Sequence, residues 1–124
     1  AMMDLDHFKH VNDTYGHDAG DRVLTAFGKL VRENCRQEDF AARFGGEEFV
    51  VFLPQTPSAE AVAFADRIRQ ALAGKDILEN GHRITASIGI AQRTGSDTAE
   101  ELIKRADQAL YAAKEAGRNR TCAL

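Results

Sequence analysis

The chain has 124 residues, 44% of them hydrophobic and 28% charged, with a net charge of −3, a profile that fits one globular domain with a real core and leaves no room for two. That balance excludes general attraction to duplex nucleic acid, and neither a membrane span nor a signal peptide is visible. Cys35 and Cys122 form no disulfide framework and no metal-ligand spacing, which fits a reducing compartment.

Ala1-Met2-Met3 is strand-like and runs straight into Asp4-Leu5-Asp6, so the chain is expected to start inside an element, as a fragment of a longer protein would. Phe8 to Asp13 suits a short helix. Thr14 to Asp21, with two glycines and several Asx residues, is expected to be a loop. From Asp21 the three- and four-residue spacing of Val23, Leu24, Phe27, Leu30 and Val31 predicts a helix with one apolar stripe. Arg36-Gln37-Glu38-Asp39 is a polar break. Phe40, Ala42 and Phe44 then alternate, Gly45-Gly46 suits a two-residue turn with positive φ, and Glu48 to Leu53 returns, a hairpin whose rim carries Glu47 and Glu48.

Pro54 and Pro57 close that hairpin, and Ser58 is expected to cap a helix to about Ala73 with Ala61, Ala65, Ile68 and Leu72 inward. A polar connection, Gly74 to Gly81, leads to an alternating strand from Ile84 to Ile90 with one buried face. Thr98 and Glu101 stand at capping-box spacing before Leu102, Ile103, Ala106, Ala109, Leu110 and Ala113, the most regular helical pattern in the chain. Gly117 ends that helix, and Thr121 to Leu124 reads as an edge strand.

This order predicts an α+β fold, ferredoxin-like or palm-type, with a central antiparallel sheet flanked by helices and an added C-terminal helix and strand. In that topology the first strand lies antiparallel beside the third, so Asp4 and Asp6 should face Glu47 and Glu48. Acids at a hairpin tip are ordinarily solvated and structural. A meeting of up to four carboxylates is costly unless a cation neutralises it, which favours a hard divalent ion such as magnesium bridging to phosphates. Lys9, Lys114 and Arg118 are candidate phosphate partners, although cations near a helix carboxyl end also complement its dipole. His7, His10 and His17 share no tight zinc pattern with the cysteines.

Asp4-Leu5-Asp6-His7-Phe8-Lys9, Asn12-Asp13-Thr14-Tyr15-Gly16-His17, Gly20-Asp21, Arg43-Phe44-Gly45-Gly46-Glu47-Glu48-Phe49, Ser87-Ile88-Gly89-Ile90-Ala91, and Ala106 to Lys114 with Gly117-Arg118-Asn119 occur in that order over nearly the whole chain. The ordered set resembles the GGDEF domain of diguanylate cyclases. The resemblance covers residues 1–124 as one domain but lacks the family's amino-terminal helix with its Asp-x-Leu-Thr-x-Leu-x-Asn-Arg motif, whose loss should uncover apolar surface.

The resemblance implies condensation of two GTP into cyclic di-GMP and two pyrophosphates by metal-assisted nucleotidyl transfer. Asp4 and Glu47 would hold magnesium through carboxylates and Leu5 through its carbonyl, two ions per GTP half-site, with manganese as an alternative. Glu47 and Glu48 would be the catalytic carboxylates, with Glu47 as proton acceptor or, since a metal-bound carboxylate is a poor base, solvent in its place. Asn12 and Asp21 match the guanine-reading positions; an amide and a carboxylate suit the donors and acceptors of that base. Lys9, Lys114 and Arg118 match triphosphate contacts, assisted by Phe8 and the amides after Leu5. Arg36-x-x-Asp39, supported by Arg67, resembles the family's product-inhibition motif, with a surface ion pair as the plainer reading. The implied partners are GTP, cyclic di-GMP, a second copy of the chain, and an upstream sensor or receiver domain. The implied setting is the bacterial cytoplasm, with membrane anchoring open to the parent protein. The rival readings are a weakly active or inactive nucleotide-binding receptor and another palm-type enzyme, such as an adenylyl cyclase or polymerase.

Overall fold

The computed structural model describes all 124 residues. Its elements are β1 (Met2–Leu5), α1 (Phe8–Tyr15), α2 (His17–Asn34), β2 (Phe40–Arg43), β3 (Glu48–Phe52), α3 (Ser58–Ala73), β4 (Ala86–Ile90), α4 (Ala99–Glu115) and β5 (Thr121–Ala123). They form one five-stranded sheet in the order β2-β3-β1-β4-β5. β1 is antiparallel to both of its neighbours, while β5 runs parallel to β4 at the edge. The ferredoxin-like core with an added helix and strand is as expected.

Strand β1 is buried along its whole length, and the two-residue period of a strand sorts its side chains between two layers. Met3 and Leu5 join the main core with Val23, Phe27, Ile68 and Leu72 from α2 and α3. Met2 joins a smaller cluster with Val50, Ala106 and Leu110 beneath α4. Asp4 has the parity of Met2 and therefore belongs to the α4 side.

Helix α4 lies close on β4 at Gly89, where a Cβ would collide with the backbone carbonyl of Ala106 and the backbone amide of Leu110. Because α4 covers this face, all five residues of β4 are buried, not one face as the alternation suggested, and the strand begins at Ala86 instead of Ile84. The capping box is present in full, with Thr98 Oγ1 accepting from the Glu101 amide and Glu101 Oε1 accepting from the Thr98 amide.

Three further local expectations are corrected. The stretch from Thr14 to Asp21 is almost entirely helical: α1 and α2 are separated by Gly16 alone, whose φ of 93° makes the break in one residue. The signature hairpin has four residues, Phe44 to Glu47, between its strands, and neither Gly45 nor Gly46 has positive φ. Ser58 is the first residue of α3 rather than its cap. Pro57 precedes the helix without a side-chain cap, and the Ser58 amide donates to Gln92 Oε1 at 2.9 Å.

Beside α4, an apolar groove of about 630 Å³ is lined by Ala1, Met2, Phe52, Leu53, Ile90 and Ile103. The Ala1 main-chain nitrogen donates to the Val51 carbonyl at 2.8 Å. No helix is long and apolar enough to cross a membrane.

The Gly89 contact yields a stability prediction. Gly89→Val should cost at least about 2 kcal/mol in urea unfolding, because backbone rather than a flexible side chain must move. A wild-type midpoint would show that α4 does not need this close approach.

Candidate active site

The first and third strands meet as the topology required. Asp4 is the Cα partner of Glu48 on β3 and of Ser87 on β4, and the Leu5 amide donates to the Glu47 carbonyl at 3.3 Å. Asp4, Leu5, Glu47 and Glu48 are therefore gathered at one end of the sheet. Glu48 also closes the hairpin, its carbonyl accepting from the Phe44 amide at 2.8 Å and the Gly45 amide at 3.3 Å.

Asp4 is 5% exposed. Its Oδ2 accepts from the Lys114 ammonium, while its Oδ1 is buried without any partner. An unpaired buried carboxylate oxygen is expensive and marks a place for a ligand. Glu48 feels the same crowding: burial, then Asp4, then Asp107 push its pKa up, Lys114 pulls it back, and Glu47 adds to the rise.

These donors are suited to a hard cation, being all oxygen, but no group of three or more His, Cys, Asp or Glu side chains converges on one point.

Asp6 does not join this cluster. It is 6% exposed and fully satisfied, with Ser87 Oγ donating to Oδ1 at 2.7 Å, and Thr85 Oγ1 and the Asn119 amide donating to Oδ2 at 2.7 and 3.0 Å. Asp6 is thus withdrawn from the expected meeting of four acids, because three donors turn it into an anchor for the turn after α4. In that turn Arg118 and Asn119 both have positive φ, 62° and 47°. Arg69 Nη1 holds it from the other side, donating to both the carbonyl and Oδ1 of Asn119 at 3.2 Å. Arg118 itself is exposed, so an anchored turn presents a solvent-facing cation.

The α1–α2 joint carries Asn12 and Asp21. Asn12 is half-buried and packs on Gly20, next to exposed Asp21. Asp21 lies within α2 and caps nothing. Lys9 is exposed on the first turn of α1 and Phe8 is half-buried. The amides of that first turn lack partners within the helix and can face an anion.

Arg36, Asp39 and Arg67 line a separate depression of about 220 Å³ with Thr56 and Glu60. Arg36 Nη2 donates to Asp39 Oδ1 at 3.2 Å, and the Arg36 amide donates to Asp39 Oδ2 at 2.7 Å.

Two residues were missed by sequence reasoning. Asp107 acts on Glu48 from α4, seven residues before Lys114 and so on the same helical face, a spacing that pointed to it. Arg43 braces the hairpin tip, donating to the Gly45 and Gly46 carbonyls at 3.2 and 2.6 Å. No sequence signal distinguishes it from an exposed strand cation.

A family model described as "Diguanylate cyclase, GGDEF domain" matches residues 1–120. The chain is 46% identical over 122 residues to "Diguanylate cyclase A" of Treponema denticola, covering 96% of this chain and 33% of that protein; it spans about a third of that relative's length. Among solved structures, the GGDEF domain of DgcB from Caulobacter crescentus in complex with c-di-GMP matches with a TM-score of 0.93 at 35% identity, covering 98% of this chain and 74% of that one. The active GGEEF domain of a diguanylate cyclase from Vibrio cholerae matches with a TM-score of 0.93 at 38% identity, covering 98% and 79%.

The raised pKa of Glu48 has a direction that can be measured. The folded chain holds this proton to higher pH than the unfolded chain does, so stability falls as pH rises from the ordinary glutamate range through the raised value, and stays lowered above it. In metal-free buffer Glu48→Gln should therefore melt above the parent at pH 7. The difference should shrink as pH is lowered through that window. A variant that melts below the parent by the same margin at every pH would show that the acidic crowding carries no cost.

Proposed function

This chain belongs to the diguanylate cyclase GGDEF-domain family, and from that premise we propose that it condenses two GTP molecules into cyclic di-GMP, releasing two pyrophosphates. The observation that carries the reading is the buried, unpartnered Asp4 Oδ1 beside Glu47 and Glu48.

In this reading the Asp4 and Glu47 carboxylates and the Leu5 carbonyl hold the divalent ion, magnesium with manganese as an alternative, two per half-site. When bound, it supplies positive charge that acidifies a 3′-hydroxyl and offsets charge on the triphosphate. Asn12 and Asp21 orient the guanine. Lys9, Arg118 and the first-turn amides at Phe8 hold the triphosphate. Lys114 has two roles: in the ligand-free chain it neutralises one side of Asp4, and with nucleotide present it turns to the phosphates. Glu48 completes the acidic rim.

The 3′-hydroxyl of one GTP gives its proton to Glu47 or, because a carboxylate that holds a metal is a poor base, to solvent, as that oxygen bonds to the α-phosphorus of the other. The bond from that phosphorus to the bridging oxygen breaks, and pyrophosphate leaves. One chain carries one guanine subsite and one phosphate subsite, so the reaction needs a second copy related by two-fold symmetry. Cyclic di-GMP then binds at Arg36, Asp39 and Arg67, where arginine suits both stacking on guanine and pairing with its Hoogsteen edge. The proposed setting is the bacterial cytoplasm, under an upstream sensor or receiver domain.

Chromatography of GTP and magnesium incubated with the protein tests the activity, and cyclic di-GMP should accumulate. Glu47→Gln should lower its formation at least about 100-fold while the circular dichroism spectrum is unchanged; undiminished product would remove Glu47 from the chemistry. Arg36→Ala should weaken cyclic di-GMP binding in titration calorimetry by about tenfold or more, the size of a lost charge-assisted hydrogen bond. A wild-type isotherm would leave Arg36–Asp39 as an ion pair and nothing more.

A further inference from the structure

Gly20 is buried inside α2 and its φ is not positive. Nothing in its backbone requires glycine, and glycine weakens a helix interior relative to alanine. The reason for it lies across the joint. A Cβ at this position would overlap Asn12 Oδ1 and stand 2.9 Å from Asn12 Cγ and 3.2 Å from Phe8 Cζ. The first two lie nearer than real Cβ contacts come.

The local fold explains how the two residues meet. Asn12 is four residues before Gly16 and Gly20 four after it. The Gly16 amide donates to the Asn12 carbonyl at 2.9 Å, and the Gly20 amide donates to the Gly16 carbonyl at 3.2 Å. One helical turn on each side of a single-residue elbow therefore brings the Asn12 carboxamide onto the bare α-carbon of Gly20, with Asp21 next along the same turn.

We propose that Gly20 is a positioning residue for base recognition: its missing side chain is the seat that holds the Asn12 carboxamide at the α1–α2 joint, so that it and Asp21 meet a purine together. The proposal rests on the reading of Asn12 as a guanine contact. Any side chain at position 20 evicts the amide; its other near neighbour is the ring edge of Phe8, whose backbone amide and not its ring is assigned to the triphosphate, and no atom of Lys9, Lys114, Arg118, Asp4 or Glu47 is among the nearest it would meet. The effect is on which base is bound.

The test is a double-mutant cycle on GTP and ATP binding, with the parent chain, Gly20→Ala, Asn12→Ala and the double variant. Gly20→Ala should weaken GTP binding about tenfold, the scale of one net hydrogen bond, leave ATP binding unchanged, and keep or raise the melting temperature. In the Asn12→Ala background it should have no further effect. The Asn12 side-chain amide resonances of the ligand-free protein should also shift in Gly20→Ala.

Wild-type GTP affinity in Gly20→Ala, where Asn12→Ala has lost it, would overturn the proposal and leave the guanine reading standing. So would an equal loss in the Asn12→Ala background, or unshifted Asn12 resonances. A Gly20→Ala chain that does not fold would assign the glycine to helix packing and overturn the proposal in the same way. If Asn12→Ala itself leaves the preference for GTP over ATP intact, the guanine reading fails, and this proposal with it.

Discussion

Asp4 sits in the middle of a five-stranded sheet, paired in register with Glu48 on one side and Ser87 on the other, and roofed by α4. One of its oxygens is held by Lys114 and the other is buried with nothing to accept from. A carboxylate in that position is a burden on the fold, since a buried oxygen without a partner has lost its water and gained no hydrogen bond in return. The rest of the site shares the burden. Lys114 is turned inward at the end of α4, Glu48 holds its proton more tightly, and the acidic end of the sheet is left needing positive charge.

The surrounding architecture keeps that cluster from relaxing. Gly89 lets α4 approach β4 closely enough to place both Lys114 and Asp107 over the sheet. Asp6, one pleat beyond Asp4, accepts three hydrogen bonds and ties β1 and β4 to the strained turn at Arg118 and Asn119. Two acids of one short motif thus have opposite fates. The satisfied one builds the frame, and the other keeps one buried oxygen without a partner.

The hairpin tip and the Arg36–Asp39 depression lie at opposite ends of β2, a strand of four residues or ~13 Å at the usual rise. Arg43 at one end braces the loop carbonyls, and Asp39 at the other pairs with Arg36. Gly45 and Gly46 have open space where side chains would stand, Gly46 with no atom within 4 Å and Gly45 with only Glu48 Cβ at 3.9 Å. Neither backbone strain nor internal packing accounts for these glycines.

Much of this was legible in the residues. Apolar stripes on α2, α3 and α4, the capping box at Thr98 and Glu101, and the strand order were set by periodicity and turn chemistry, which act between near neighbours. The meeting of Asp4 with Glu47 and Glu48 followed from topology, because antiparallel pairing of the first and third strands leaves no other arrangement. What sequence could not supply was the environment of each group. The fate of Asp6 depended on Thr85, Ser87 and Asn119, and the stretch expected to be a loop shrank to a one-residue break at Gly16. The lone partner of Asp4 comes from 110 positions away. Local pattern determines which elements form and which ends they share; whether a polar atom inside them is satisfied depends on donors brought from distant segments, and only the folded chain decides that.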